Sequence, residues 1–370
     1  MLSALFVSYS GVLGGGERIL VDLASRLPDC RPAIACPDGE LAAAASERQV
    51  NVLPLRDRRL ELRRSIRDRI AAPGRLAAHA VEVRRLIAER RPDVVIGWGT
   101  RSAMACLAAL RGIGRRPAFV QQGNDLLTGP VIARAARSVA RRADLVVSLS
   151  RTIARDLDPD GSISDRSEVV HPGVDLDSYA RSGPLPERPH ALVLGAMVRW
   201  KRPMFALEAV AIAAASLPEL QVTVAGPAID RAGEELASAL RRRASAPDLN
   251  GRVHLPGSIS DPRHALSQSS CLLHCADCEP FGMVLVEALA AGRPVVAPAS
   301  CGPAEIISSD CGRTFPAGDA RSAAMALVDL HAQPDLASEL GAAGRRRAER
   351  HFDIEESVRR YRELLERVSP

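Results

Sequence analysis

Short apolar runs recur along the chain, separated by stretches whose apolar positions follow a helical period. Residues 2–7 predict a buried strand, the segment Gly11-Val-Leu-Gly-Gly-Gly-Glu-Arg a loop, and residues 19–27 an amphipathic helix. Further strands are predicted at 33–36, 50–53, 94–96, 118–121 and 145–149, with helical stretches between them. Alternation of this kind implies α/β architecture, a parallel sheet covered by helices on both faces. Ser182-Gly-Pro-Leu-Pro-Glu-Arg-Pro has the composition of a linker, and the pattern then restarts with strands at 191–194, 221–225, 253–255 and 270–275. Two Rossmann-like doubly wound domains are expected, residues 1–183 and 184–351, followed by an amphipathic tail over 352–370.

Against that background, Glu-Pro-Phe-Gly-Met-Val-Leu-Val-Glu-Ala-Leu-Ala-Ala-Gly at 279–292 stands out. Glu287 is the only polar side chain between Met283 and Ala291, so the segment predicts a helix buried all round and stopped by Gly292. An unpaired carboxylate there would be expensive, so Glu287 is expected to bind something polar. The free amides near Phe281, Gly282 and Met283 offer an anion the positive end of the helix. A ligand carrying both hydroxyls and phosphates fits this pair of features. A capped core helix whose acids meet arginines is the plainer alternative.

Among 49 Lys and Arg there is a single lysine, Lys201, in Leu-Gly-Ala-Met-Val-Arg-Trp-Lys-Arg-Pro just after the run at 191–194. A compact ammonium at that point suits a phosphate, and a guanidinium would not replace it.

The spelling E-P-F-G-M-V-L-V-E resembles the E-x7-E signature of the retaining GT-B glycosyltransferases, family four, also called glycosyl transferases group 1. Gly-Gly-x-Glu at Gly15 and Gly16, Val169-Val-His-Pro-Gly-Val-Asp, and Cys301-Gly-Pro-Ala-Glu with Gly302 and Glu305 resemble further segments of that family. The resemblance implies a GT-B fold and transfer of a sugar from a nucleoside-diphosphate sugar, UDP ahead of GDP, with no metal and no other cofactor. It implies that Glu279 faces the donor sugar and that Glu287 holds the ribose. The amides of Phe281, Gly282, Met283 and Val284 would contact sugar and diphosphate, Lys201 would bind the diphosphate, and Gly15 and Gly16 would lie near donor phosphates or the acceptor. It also implies that the tail packs back on the first domain.

Three positions depart from the family pattern. Ala196 stands where an arginine often follows the strand's Gly195, so Arg199 or Arg202 is expected to supply the second positive charge. Trp98 and Gln122 stand where histidines are common. Together with Asn124 and Asp125 they are polar groups at strand ends, suited to an acceptor or to capping loops.

Composition narrows the rest. The chain of 370 residues is 46% apolar and 25% charged, enough for two cores. No apolar run approaches the ~18 residues of a membrane span, and the N-terminus enters its glycine loop too early for a secretory signal, so a cytoplasmic protein is expected. Its eight cysteines are then expected to be thiols. The net charge of +5 sits in the first half, largely in the arginine-rich stretch 56–70. That stretch is either a solvated face with internal ion pairs or an amphipathic contact with anionic lipid on the inner face of the membrane. Aromatic content of 3% argues against nucleic acid. The acceptor is expected to be a saccharide, a lipid-linked saccharide or a natural product.

Rival motifs are weaker. Cys271, Cys275 and Cys278 form C-x3-C-x2-C, the spacing of an iron–sulfur radical enzyme, with His274 inside it. A strand there would send those side chains to opposite faces. Asp158-Pro-Asp160 and Asp175-Leu-Asp177 match a metal-binding D-x-D, but turn chemistry suits them better. A sugar-nucleotide epimerase of the same fold and a non-catalytic sugar-nucleotide binder remain as alternatives to a transferase.

Overall fold

The computed structural model describes residues 1–58, 66–179 and 183–369, without the side chains of 66–70. Two compact units divide the chain: Met1–Pro172 with Ile354–Pro370, and Gly173–Asp353.

The first unit holds β1 (Leu2–Val7), β2 (Cys30–Pro37), β3 (Asn51–Leu55), β4 (Val94–Trp98), β5 (Ala118–Gly123), β6 (Leu145–Ser148) and β7 (Ser167–Val169). All pair in parallel, in the order β3-β2-β1-β4-β5-β6-β7. Helices α1 (Gly15–Arg26), α2 (Glu40–Glu47), α3 (Ile66–Arg90), α4 (Thr100–Ala109), α5 (Pro130–Ala140) and α6 (Arg151–Leu157) provide the crossovers. Strand alternation puts Ala4, Phe6, Ile96, Trp98 and Val120 into one core with Leu20, Val21 and Leu41 of α1 and α2.

The second unit repeats the plan. Strands β8 (His190–Leu194), β9 (Gln221–Ala225), β10 (Val253–Gly257), β11 (Cys271–Leu273), β12 (Val295–Pro298) and β13 (Gly312–Phe315) form a parallel sheet in the order β10-β9-β8-β11-β12-β13. Its helices are α7 (Pro203–Ala213), α8 (Arg231–Ala244), α9 (Pro262–Ser267), α10 (Met283–Ala290), α11 (Cys301–Ile306), α12 (Ala320–Ala332) and α13 (Pro334–His351). Strands β12 and β13 had no predicted counterpart, and β7 meets the family-like strand segment from Val169 only at its last residue. Strand β11 stops at Leu273, short of the predicted 275.

The last helix, α14 (Ile354–Val368), belongs to the first unit, where Ile354, Val358, Tyr361, Leu364 and Leu365 join the core. A boundary near 183, read from proline and glycine content, falls inside the second unit. The Val174 N–H donates to the Phe352 carbonyl at 2.9 Å, and Arg345 Nη1 donates to the Tyr179 carbonyl at 2.6 Å. Buried Arg293 donates to the carbonyls of Gly183 (3.2 Å) and Ser267 (2.9 Å). These backbone ties leave no sequence signature, whereas the prolines do.

The membrane contact expected of 56–70 lies mostly outside the described residues. Of its described part, Arg58 pairs with Glu82, whose carboxylate also accepts the Arg56 N–H at 3.2 Å. No described helix is long and apolar enough to cross a membrane.

Candidate active site

In the second unit the strand order reverses between β8 and β11, which are direct neighbours. Loops leaving the C-terminal ends of such strands diverge to opposite faces and open a crevice. Gly195 follows β8 with φ +152°, and a Cβ there would lie 2.9 Å from Lys201 Cδ and 3.3 Å from its Nζ. The missing side chain is the space the lysine uses. A 3-10 turn, Arg199–Lys201, returns Lys201 to this position, with Nζ 4.9 Å from the centre of the Trp200 ring.

From β11 the chain runs through His274 to Glu279. Oxygen Oε2 of Glu279 lies 3.5 Å from Lys201 Nζ and 3.5 Å from His274 Nε2. Glu279 and His274 are buried. Burial, and secondarily the Lys201 charge, pushes the imidazole down to about 3, so it is neutral at physiological pH. In the sequence His274 stands out only as a possible metal ligand, and nothing in the spacing signals its place beside Glu279.

The other basic candidates separate. Arg202, at φ +51°, pairs with Asp277 and lies 5.0 Å over the Phe205 ring. Arg199 is exposed, and no hydrogen bond or ion pair joins it to Glu279 among the described residues. The structure thus brings Lys201 to the acid, while Arg199, one of the two arginines expected to supply the second positive charge, is exposed and Arg202, the other, is held by Asp277.

Gly282, at φ +106°, caps α10, and a Cβ there would sit 3.2 Å from Glu279 Cγ, so the acid packs against the helix start. Phe281 is buried edge-on against Phe352, centroids 6.1 Å apart. The helix is not buried all round as expected. Met283, Val284 and Glu287 are half-buried along one face, while Leu285, Val286, Ala288, Leu289 and Ala290 are buried. Met283 and Glu287 are four apart, so the carboxylate stands one turn along the face that starts at the free amides. Glu287 is therefore half-buried and not enclosed in the core.

The cysteines correct two expectations. Cys278 and Cys301 form a disulfide, Cα atoms 5.3 Å apart, and the other six are free. Cys271 and Cys275 lie in the hydrophobic core, and burial pushes the Cys271 thiol up to about 12. Among the described residues no group of three His, Cys, Asp or Glu is placed to hold a metal ion, so the iron–sulfur reading fails on geometry. The two D-x-D motifs are turns: Asp158 accepts from Ile163 N–H at 3.1 Å and Asp175 from Ser178 N–H at 3.3 Å.

In the first unit the order reverses between β1 and β4. Tyr9 follows β1, and its hydroxyl accepts from Arg101 Nη1 at 2.7 Å, the guanidinium lying 4.9 Å over the ring. Neither residue was singled out in the sequence. Asn124 and Asp125 follow β5 nearby, and the Asn124 Oδ1 is buried without a hydrogen-bond partner among the described residues. Glu17 folds back over the start of α1, its Oε2 2.8 Å from where a Cβ at Gly14 would stand, and burial raises its pKa.

Trp98 and Gln122 are not available to an acceptor. Trp98 is buried and its Nε1 donates to the Gly16 carbonyl at 3.0 Å. Gln122 is buried and its Oε1 accepts from the hydroxyl of Tyr361 in α14 at 2.9 Å. One anchors the glycine loop and the other the last helix.

Two parallel-sheet units of this kind, the second with a lysine and a carboxylate at its switch point, define a glycosyltransferase of the GT-B fold. The sequence profile named Glycosyltransferase Family 4 matches residues 13–178, and that named Glycosyl transferases group 1 matches residues 178–347. The chain belongs to glycosyltransferase family 4. It is 28% identical over 294 residues to the GDP-mannose-dependent alpha-(1-6)-phosphatidylinositol monomannoside mannosyltransferase of Mycolicibacterium smegmatis, covering 72% of this chain and 74% of that protein. It is 29% identical to the D-inositol 3-phosphate glycosyltransferase of Streptomyces scabiei over 59% of this chain and 51% of that relative, about half its length. Anabaena HepE, crystallised with UDP and glucose, has the same fold with a TM-score of 0.85 at 20% identity, over 99% of this chain and 100% of that one.

Proposed function

We propose that the chain moves a sugar from a nucleoside-diphosphate sugar to an acceptor hydroxyl with retention of anomeric configuration and without a divalent metal. The observation that carries this reading is the contact of Lys201 Nζ with Glu279 Oε2 beside the N-terminus of α10. As the glycosidic bond breaks, charge grows on the departing diphosphate, and Lys201 with the amides of Phe281, Gly282, Met283 and Val284 answers it. Glu287, one turn along, holds the ribose hydroxyls. Glu279 supports the oxocarbenium-like anomeric carbon as a neighbouring charge and does not become attached to it. The acceptor hydroxyl attacks from the face the diphosphate leaves and passes its proton to that phosphate, which retains the configuration.

The acceptor is assigned to the first unit, where Arg101 and Tyr9 offer an anionic group a cation and a hydroxyl at the switch point. The relatives' names carry an inositol phosphate and a phosphatidylinositol mannoside, so a phosphorylated or lipid-linked polyol is the favoured class. Those names and that of HepE supply both GDP and UDP as nucleotides, and the expectation of UDP is put to the test with both.

The test is incubation with UDP- and GDP-sugars and a panel of inositol phosphates and lipid-linked saccharides, with and without chelator, read by proton NMR at the anomeric position. A product of retained configuration, unaffected by chelator, is expected. An inverted product or a chelator-sensitive rate would overturn those parts of the mechanism. Conversion of the donor sugar alone would favour an epimerase.

A further inference from the structure

The disulfide joins two segments of the second unit that are tied at three consecutive residue pairs. Ser300 Oγ donates to the Asp277 carbonyl at 2.6 Å, Cys278 is bonded to Cys301, and the Gly302 N–H donates to the Glu279 carbonyl at 2.9 Å. Beyond them, the Gly302 Cα packs on Phe281 so closely that a Cβ would lie 2.3–2.7 Å from the Phe281 backbone. The first segment is the one that carries Glu279 and leads into α10. Cys301 holds a left-handed backbone, φ +52°, which a non-glycine residue adopts only at a cost. Cys278 is exposed, so a reagent can reach the bond. Of the six free cysteines five are buried and Cys30 is half-buried, so the exposed sulfur of Cys278 is the accessible disulfide target.

We propose that the Cys278–Cys301 bond is a redox modification site through which a dithiol reductant lowers donor affinity. The proposal rests on the donor-site reading above. With the bond intact, residues 277–282 are held in the geometry that presents Glu279 and the start of α10. After reduction, Cys301 keeps its left-handed backbone only through the flanking hydrogen bonds and the packing of Gly302 on Phe281, without the covalent tie, and the segment relaxes.

The chemistry balances. One thiolate of the reductant attacks the exposed sulfur of Cys278, the protein S–S bond breaks, and Cys301 leaves as a thiolate that takes a proton from water. The second thiolate of the reductant then attacks the mixed disulfide and releases Cys278 in the same way. Two electrons pass to the protein, and the reductant departs as its own disulfide.

The experiment compares protein purified without reductant with the same protein treated with dithiothreitol. Iodoacetamide alkylation with peptide mapping reads the thiols, and calorimetric titration with UDP and GDP reads affinity. Cys278 and Cys301 should be alkylated only after reduction. If reduction leaves the segment in its binding geometry about a fifth of the time, the Kd rises about fivefold. Cys278→Ser should match the reduced protein and ignore dithiothreitol. Cys301→Gly, which suits the left-handed backbone, should do the same and guards against a folding defect in the first variant. Alkylation of the pair without reductant, or equal affinity in both redox states, would overturn the switch while leaving the donor site standing. Absence of binding in both states would remove the donor site and the switch with it.

Discussion

Lys201 lies in the space that a side chain at Gly195 would fill, its Cδ 2.9 Å and its Nζ 3.3 Å from that position. The backbone at φ +152° is one that glycine adopts freely and other residues do not. A methyl group at 195 would meet both restrictions together. Gly195→Ala should cost about 1–3 kcal/mol of stability. It should also weaken nucleotide binding toward the level of Lys201→Ala, measured by thermal unfolding and calorimetry.

The same space argues that arginine will not replace the lysine. A guanidinium is planar and wider than the ammonium that lies between Gly195 and Glu279. Lys201→Arg should lose about tenfold in nucleotide affinity, a loss of about 1.4 kcal/mol, despite keeping its charge. Affinity equal to wild type would remove the shape argument.

Glu287 is half-buried on the open face of α10. Glu287→Gln should leave stability within about 0.5 kcal/mol of wild type, as substitutions outside the core do. If the carboxylate receives ribose hydroxyls, the charged hydrogen bonds lost are worth about 1.5–3 kcal/mol, a weakening of roughly ten- to a hundredfold. Calorimetry and chemical denaturation of one preparation measure both.

His274 makes a pH prediction. Its folded pKa is lowered from 6.5 to about 3, by burial first and Lys201 second. Between those values the unfolded chain holds a proton that the folded chain does not. Its contribution is therefore complete above about pH 6.5 and is lost as the pH falls toward 3. His274→Asn, which cannot charge, should lack this slope. The stability difference between wild type and variant should shift by up to about 3 kcal/mol between pH 7 and pH 4. Denaturant midpoints at pH 7 and pH 4 give the comparison.

Trp98 tests the structural assignment in the first unit. Trp98→Phe keeps the ring in the core and removes the Nε1 donor to the Gly16 carbonyl. A loss of about 1 kcal/mol is expected, with the acceptor KM unchanged. A raised KM at unchanged stability would restore Trp98 to the acceptor site.

What could be read from the chain follows its periodicities. The strands on either side of both switch points were legible because buried parallel strands are continuous apolar runs, and β9 was read at its true bounds, Gln221–Ala225. The pair of acids and the lone lysine were legible as types of residue out of place in their surroundings. What was hidden depends on contacts that no spacing in the sequence announces. His274 reaches Glu279 only after β11 ends at Leu273, Tyr9 meets Arg101 across two strands, and Cys278 meets Cys301 across a helix and a strand. Trp98 and Gln122 were misplaced for a related reason. A polar atom at a strand end looks the same in the sequence whether it faces a ligand or, as here, the Gly16 carbonyl and the Tyr361 hydroxyl.

The most direct test of a donor site built on Lys201, Glu279 and α10 is calorimetric titration of UDP and of GDP, without divalent metal, into wild type, Lys201→Ala and Glu287→Ala. Wild type should bind one of the two in the micromolar range, about −8 kcal/mol or a little weaker, and both variants should lose that binding. Binding that survives in both variants, or that appears only when metal is added, would contradict the account.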